Sequence, residues 1–193
     1  MLQQLSTMKR LFDFLIAFIF LFVFLVPILI IAVLVKTTSR GPALYWSDRV
    51  GRNNSIFRMP KFRTMRVDTP AVATHLLNDP TKYLTPIGGV LRKTSFDELP
   101  QLYSILKGDM SFVGPRPALY NQDDLIELRT KCGVHCLTPG LTGWAQIHGR
   151  DELPIPVKVE FDSWYLQNRS LFLDMKILFM TFLKVVTREG VTH

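Results

Sequence analysis

Residues 14–35 read FLIAFIFLFVFLVPILIIAVLV, 22 apolar residues without a break. A helix of that length would extend about 33 Å, enough to cross a hydrocarbon core of about 30 Å. A single spanning helix is one reading of this stretch. Pro27 supports another. It divides the run into 13 residues before it and 8 after it, and neither arm spans alone. Inside a helix, proline removes one hydrogen bond and crowds the carbonyl four residues back, here that of Val23, so a bend is expected at Pro27. Lys9 and Arg10 precede the run, and Lys36 and Arg40 follow it. Basic residues favour the cytoplasmic side, so both ends are expected there, which a bent re-entrant hairpin satisfies and a straight span does not. We therefore expect residues 1–36 to form a hairpin with its flanks, and residues 37–193 to form one cytoplasmic domain.

The rest of the chain limits what that domain does. The protein has 193 residues and a net charge of +7. With 48% hydrophobic residues it has enough apolar surface for a packed core. Two cysteines exclude a disulfide scaffold. Cys132, His135 and Cys136 offer three metal-type ligands in five residues, but no second cysteine pair completes a structural zinc site. Arg49, Arg52, Arg58, Lys61, Arg63 and Arg66 form a basic run within 18 residues. Such a run suits nucleic acid, anionic lipid or a diphosphate; no nucleic-acid motif accompanies it, so the last two are preferred.

Three segments carry candidate chemistry. In LRKTSFDELPQLYSILKG, residues 91–108, the apolar positions give a helical face and Gly108 gives its stop. Ser95 and Glu98 match a capping box, yet that start would place Pro100 beyond the first turn. A cap near Asp97 resolves the conflict. It would put Asp97 and Glu98 at the positive end of the helix, keeping a carboxylate ionised, with Arg92 and Lys93 just upstream. KGDMSFVGPRP, residues 107–117, is expected to be a fixed loop with Arg116 held between two prolines. TPGLTGWAQIHGR, residues 138–150, is expected to be a second loop, with backbone amides near a ligand and Trp144 free to stack or pack. In residues 171–188, Asp174, Thr181, Lys184 and Arg188 form one polar stripe on an otherwise apolar helix, which suits either a core helix or one lying in a membrane interface.

Taken in order, KFRTM (61–65), SFDELPQL (95–102), KGDMSFVGPRP (107–117), PGLTGWAQ (139–146) and the spaced Asp162, Tyr165, Ser170, Asp174, Lys176 and Thr181 resemble the monotopic phosphoglycosyl transferases among bacterial sugar transferases. The resemblance runs from about Lys9 to Arg188. It implies a helix-rich α/β (α+β) fold with a small sheet, a re-entrant hairpin and interfacial helices, at the cytoplasmic face of the bacterial inner membrane. It implies transfer of a sugar-1-phosphate from a UDP-sugar to undecaprenyl phosphate, with Mg²⁺ and release of UMP. Asp97 matches the nucleophile, and Glu98 the second acid, as base or metal ligand. Both are expected to face the metal. Arg92 matches a phosphate-binding arginine, and Pro115 and Arg116 the nucleotide-facing loop. Lys61 and Arg63 are further phosphate candidates. The implied partners are the UDP-sugar, undecaprenyl phosphate, membrane lipid, a second copy in a homo-oligomer, and the glycosyltransferases that act next; nucleic acid is not among them. The short form resembles members that use N-acetylated amino sugars; a neutral hexose donor, or a non-catalytic scaffold, are the alternatives. Three positions depart from the pattern: Val26 where serine often precedes the proline, Pro60 where tyrosine is frequent, and His148 where asparagine is frequent.

Overall fold

The computed structural model describes residues 2–69, 79–149 and 153–187. The apolar run forms two helices, α1 (Leu2–Val23) and α2 (Leu25–Thr38). Their arms are bent by 63°, and among the described residues no single helix is long and apolar enough to cross a membrane. The break lies at Phe24, one turn before the expected Pro27. Pro27 falls in the first turn of α2, where its missing N–H leaves no helical bond unmade. Its ring conflicts with the carbonyl of Val23, and the chain relieves this at the adjacent residue. Helical bonding continues on both sides: the Phe24 N–H donates to Phe20 O and the Ile28 N–H to Phe24 O, each at 2.8 Å.

Two small sheets follow. Strands β1 (Leu44–Val50) and β2 (Ile56–Phe62) form an antiparallel hairpin with Leu44 opposite Phe62 and Val50 opposite Ile56. Asn53 and Asn54 make its turn with positive φ, a conformation asparagine tolerates better than most side chains. Helix α3 (Gly88–Thr94) leads to α4 (Gln101–Lys107), which stops at Gly108 in the left-handed region, as expected. Strand β3 (Ser111–Val113) pairs in parallel with β4 (Gly140–Thr142) across helix α5 (Asp123–Lys131). Helices α6 (Trp144–His148), α7 (Ile155–Asn168) and α8 (Leu171–Thr187) complete the helix-rich mixed α/β fold.

The main core gathers Ala17 of α1, Leu102 and Ile105 of α4, Phe112 and Val113 of β3, Tyr165 of α7 and Ile177 of α8. A smaller core sets Ile31 and Val35 of α2 against Phe62 and Leu91. Polar contacts fix α1 as well. Arg10 donates to the carbonyls of Ile105 and Leu106 at the end of α4, where cations complement unsatisfied carbonyls. Asp13 accepts the Phe112 N–H of β3 at 3.1 Å, and Lys9 pairs with Asp174 of α8. The outer face of the pair exposes Phe18, Phe22, Val26, Leu29 and Val33.

Helix α8 is turned inside out relative to a helix of a water-soluble core. Three of its polar residues point inward, while Lys176 is exposed: Asp174 bonds Lys9 and Tyr165, Thr181 bonds Thr142 at 2.7 Å, and Lys184 donates to Ile147 O at 2.6 Å. Phe172 (82% exposed), Met175, Phe179 and Phe182 point outward. Arg188 lies outside the described residues.

The segment 138–150 is not one loop, as expected from sequence, but β4 followed by α6; Arg150 lies outside the described residues. Its glycines serve backbone packing. A Cβ on Gly140 or Gly143 would collide with the backbone of Gly114, whose N–H donates to Thr142 O at 2.9 Å. Trp144 stacks on Trp164 and packs against His148, so it is occupied within the protein.

Candidate active site

The acid pair lies in the connection from α3 to α4. Ser95 ends α3 in the left-handed region (φ 58°), with its N–H donating to Arg92 O at 3.1 Å. A single 3₁₀ turn, Phe96–Glu98, then carries both carboxylates. Helix α4 starts only at Gln101, with Pro100 as its N-cap. Asp97 is therefore not the helix cap expected from sequence. The proline sets the boundary: its fixed φ and missing N–H place it just outside the hydrogen-bonded ladder, and the acids fall one turn earlier.

The electrostatics differ accordingly. Asp97 is 9% exposed. Burial, aided by the neighbouring Glu98, pushes its carboxyl up to about 6, while Lys61 and Arg92 pull it down. Desolvation, rather than a helix terminus, dominates. At pH 7 such a group is still roughly nine-tenths ionised, and it is more basic than an ordinary aspartate.

Cations surround the turn. Lys61 reaches across from β2 and donates to Glu98 Oε1 at 2.6 Å. Arg116 Nη1 lies 3.8 Å from the same oxygen. Arg92 donates to Thr64 Oγ1 at 3.0 Å; burial lowers its pKa and Asp97 opposes that. Lys61, Glu98 and Arg116 line one cleft together with Arg49 and Gln101. Pro115 lines a different cavity, beside Arg129 and His135. Arg63 does not join the group. It is buried, with Nε donating to Pro42 O at 2.7 Å and Nη2 to Ser39 O at 3.1 Å, tying β2 to the linker after α2.

The basic run thus has several destinations. Arg49 and Lys61 face the cleft, Arg58 sits 5.5 Å over the Trp46 ring, and Arg66 pairs with Asp68. It does not make one continuous phosphate-binding face. Sequence reasoning also missed the brace behind Arg116. Arg129 donates to the Arg116 carbonyl at 2.8 Å and twice to the buried Asp162 Oδ2, at 2.6 and 3.0 Å. Burial raises the Asp162 carboxyl, and Arg129 opposes this. Arg129 and Asp162 are 33 residues apart, and no local pattern links them.

No three His, Cys, Asp or Glu side chains converge on a metal position among the described residues. Asp97 and Glu98, two adjacent hard-oxygen donors, fit an ion that keeps water and substrate phosphate as its remaining ligands, as Mg²⁺ does.

A buried, basic carboxylate next to a cleft lined by Glu98, Lys61, Arg49 and Arg116 is an arrangement suited to an anionic substrate. The profile of the bacterial sugar transferases matches residues 4–188, and the chain belongs to that family. It is 42% identical over 186 residues to the uncharacterized sugar transferase EpsL of Bacillus subtilis, covering 95% of this chain and 90% of that protein. It is 38% identical to an undecaprenyl-phosphate galactose phosphotransferase of Salmonella typhimurium, over 95% of this chain and 41% of the relative. It is also 38% identical to a UDP-N-acetylgalactosamine-undecaprenyl-phosphate N-acetylgalactosaminephosphotransferase of Aeromonas hydrophila, over 94% and 44%. The chain therefore spans nearly all of one relative and about two-fifths of the other two. By class it is a phosphoglycosyl transferase.

Proposed function

We propose that the protein transfers a sugar-1-phosphate from a UDP-sugar to undecaprenyl phosphate and so begins assembly of a lipid-linked glycan. The observation that carries this is the turn Phe96–Glu98, which sets a buried, basic Asp97 beside Lys61 and Arg92 and turns Glu98 toward Lys61 and Arg116.

The reaction has two displacements. An Asp97 carboxylate oxygen bonds to the β-phosphorus of the UDP-sugar. The bond from that phosphorus to the bridging oxygen breaks, and UMP leaves with the electron pair. A phosphate oxygen of the lipid then bonds to the same phosphorus, and the Asp97 carboxylate leaves. Lys61, Arg92 and Arg116 bind the phosphates and offset their charge. Glu98 orients Lys61 and accepts a proton from the incoming lipid phosphate when that group arrives protonated. Asp97 and Glu98 would hold Mg²⁺, which would supply further neutralisation of the diphosphate.

A polyprenyl acceptor supports a membrane location. The outward apolar faces of α1, α2 and α8 suit lipid, and the 63° bend of the pair supports a re-entrant course. We place the protein at the cytoplasmic face of the bacterial inner membrane, with the pair re-entrant and α8 in the interface. For the donor we favour an N-acetylated amino sugar, the type named for the Aeromonas relative; the galactose named for the Salmonella relative supports a neutral hexose as the second reading.

The test is UMP release by the purified protein in lipid with Mg²⁺, undecaprenyl phosphate and a panel of UDP-sugars. Release that needs both the lipid and one class of donor is the expected result. No release with any donor from folded protein contradicts the proposal.

A further inference from the structure

Gln101 opens α4, four residues after Asp97 and three after Glu98. It lines the cleft with Lys61, Glu98 and Arg116, yet its side chain is almost wholly enclosed, with 2% of the residue exposed. Its Nε2 has no hydrogen-bond partner. A buried amide donor left unpaired costs about 1–3 kcal/mol, and native folds seldom keep one without a use. Its backbone is held on a rigid element: its neighbours Leu102 and Ile105 are anchored in the main core.

The chemistry around it narrows what it meets. The other donors in the cleft are cations, which attract an anion but also stabilise ionised Asp97. A neutral donor directs an oxygen atom without adding to that field. A phosphoryl group undergoing displacement gathers charge on its non-bridging oxygens, and a fixed amide that meets one of them only then acts on the barrier rather than on binding.

We infer that Gln101 is a further catalytic residue whose carboxamide N–H donates to a non-bridging oxygen of the transferred phosphoryl group. This rests on the transfer reaction proposed above. It adds a neutral side-chain donor to the cations that line the cleft, and it gives the buried Nε2 its partner only when substrate is bound.

The test compares wild type, Asp97→Asn, Gln101→Met and Gln101→Glu in the UMP-release assay, with thermal unfolding of each. Met keeps the length of the side chain and removes the donor; Glu keeps the shape and replaces the donor with an acceptor. The expected result for Gln101→Met is a kcat lowered about 100-fold, a KM within about threefold of wild type and an unfolding midpoint equal or higher, because an unpaired buried amide has been removed. Gln101→Glu should lose more activity. A purely structural role would lower the midpoint and leave kcat per folded molecule unchanged. That outcome overturns the inference, as does a Met variant with normal kcat or one changed in KM alone. If one variant does not fold, the other decides by the same kcat and KM criteria. Absence of UMP release by wild type would instead refute the transfer reaction, and the role of Gln101 would fall with it.

Discussion

Buried carboxylates occur on both sides of β3, with opposite consequences. Where α1 meets α7 and α8, Asp174 accepts from Lys9 and from Tyr165 Oη, the latter at 2.6 Å, and Asp13 accepts the Phe112 N–H. Asp162 of α7 takes two bonds from Arg129 of α5. These acids are satisfied, and their partners are walls of the fold. At the Phe96–Glu98 turn, Asp97 feels Lys61 and Arg92 through charge; among the described residues no side chain hydrogen-bonds to it. Gln101 Nε2 is likewise unmet. A closed pair is framework, whereas an incompletely partnered group at similar depth is one that awaits something.

Substitutions should separate the two kinds of acid. The largest effect is expected for Asp97→Asn, which should lower UMP release by roughly a thousandfold or more, because no other group replaces the nucleophile. Its stability should move the other way. A carboxyl raised from 3.8 to about 6 binds more protons folded than unfolded between those values, so its ionisation weakens the fold as pH rises through that window. At pH 7, Asp97→Asn should therefore melt at the same temperature or higher. Asp162→Asn should do the reverse: a loss of about 3–5 kcal/mol in denaturant unfolding, with kcat per folded molecule little changed. Were Asp162→Asn to abolish turnover in fully folded protein, the division drawn here between framework and site would be wrong.

Glu98→Gln comes next. It removes the charge that holds Lys61 and should lower kcat about 100-fold, short of the Asp97 effect. The smallest effect is on pH dependence. With Asp97 required as the carboxylate, kcat/KM should fall on acidification through about pH 6, by about threefold to fourfold between pH 7 and 5.5. A flat profile down to pH 5 would place the ionising group nearer an ordinary aspartate and remove burial as the source of its basicity.

Much of this was visible in the sequence where local rules act alone. The interrupted apolar run predicts the bent pair, and Gly108 predicts the end of α4. The acids at 97 and 98, with Lys61 and Arg116, do converge. The errors have a common origin. Pro27 and Pro100 each mark a boundary, but the chain adjusts at the neighbouring residues, so the bend sits at Phe24 and the helix starts at Gln101. The stripe on α8 is readable as polar, yet only tertiary packing decides that Asp174, Thr181 and Lys184 face inward. Arg63 lies two residues from Lys61, on the same face of an ideal strand, but β2 ends at Phe62 and the side chain turns to the linker carbonyls. The unmet hydrogen bond of Gln101 has no signature in sequence.

The most direct test of the central claim is intact-mass analysis of the protein with Mg²⁺ and its UDP-sugar, before any lipid acceptor is added. The account predicts a mass gain of one phosphosugar, located on the peptide containing Asp97, absent in Asp97→Asn and discharged when undecaprenyl phosphate is supplied. Lipid-dependent UMP release at the wild-type rate by Asp97→Asn, or an adduct on another residue, would contradict it.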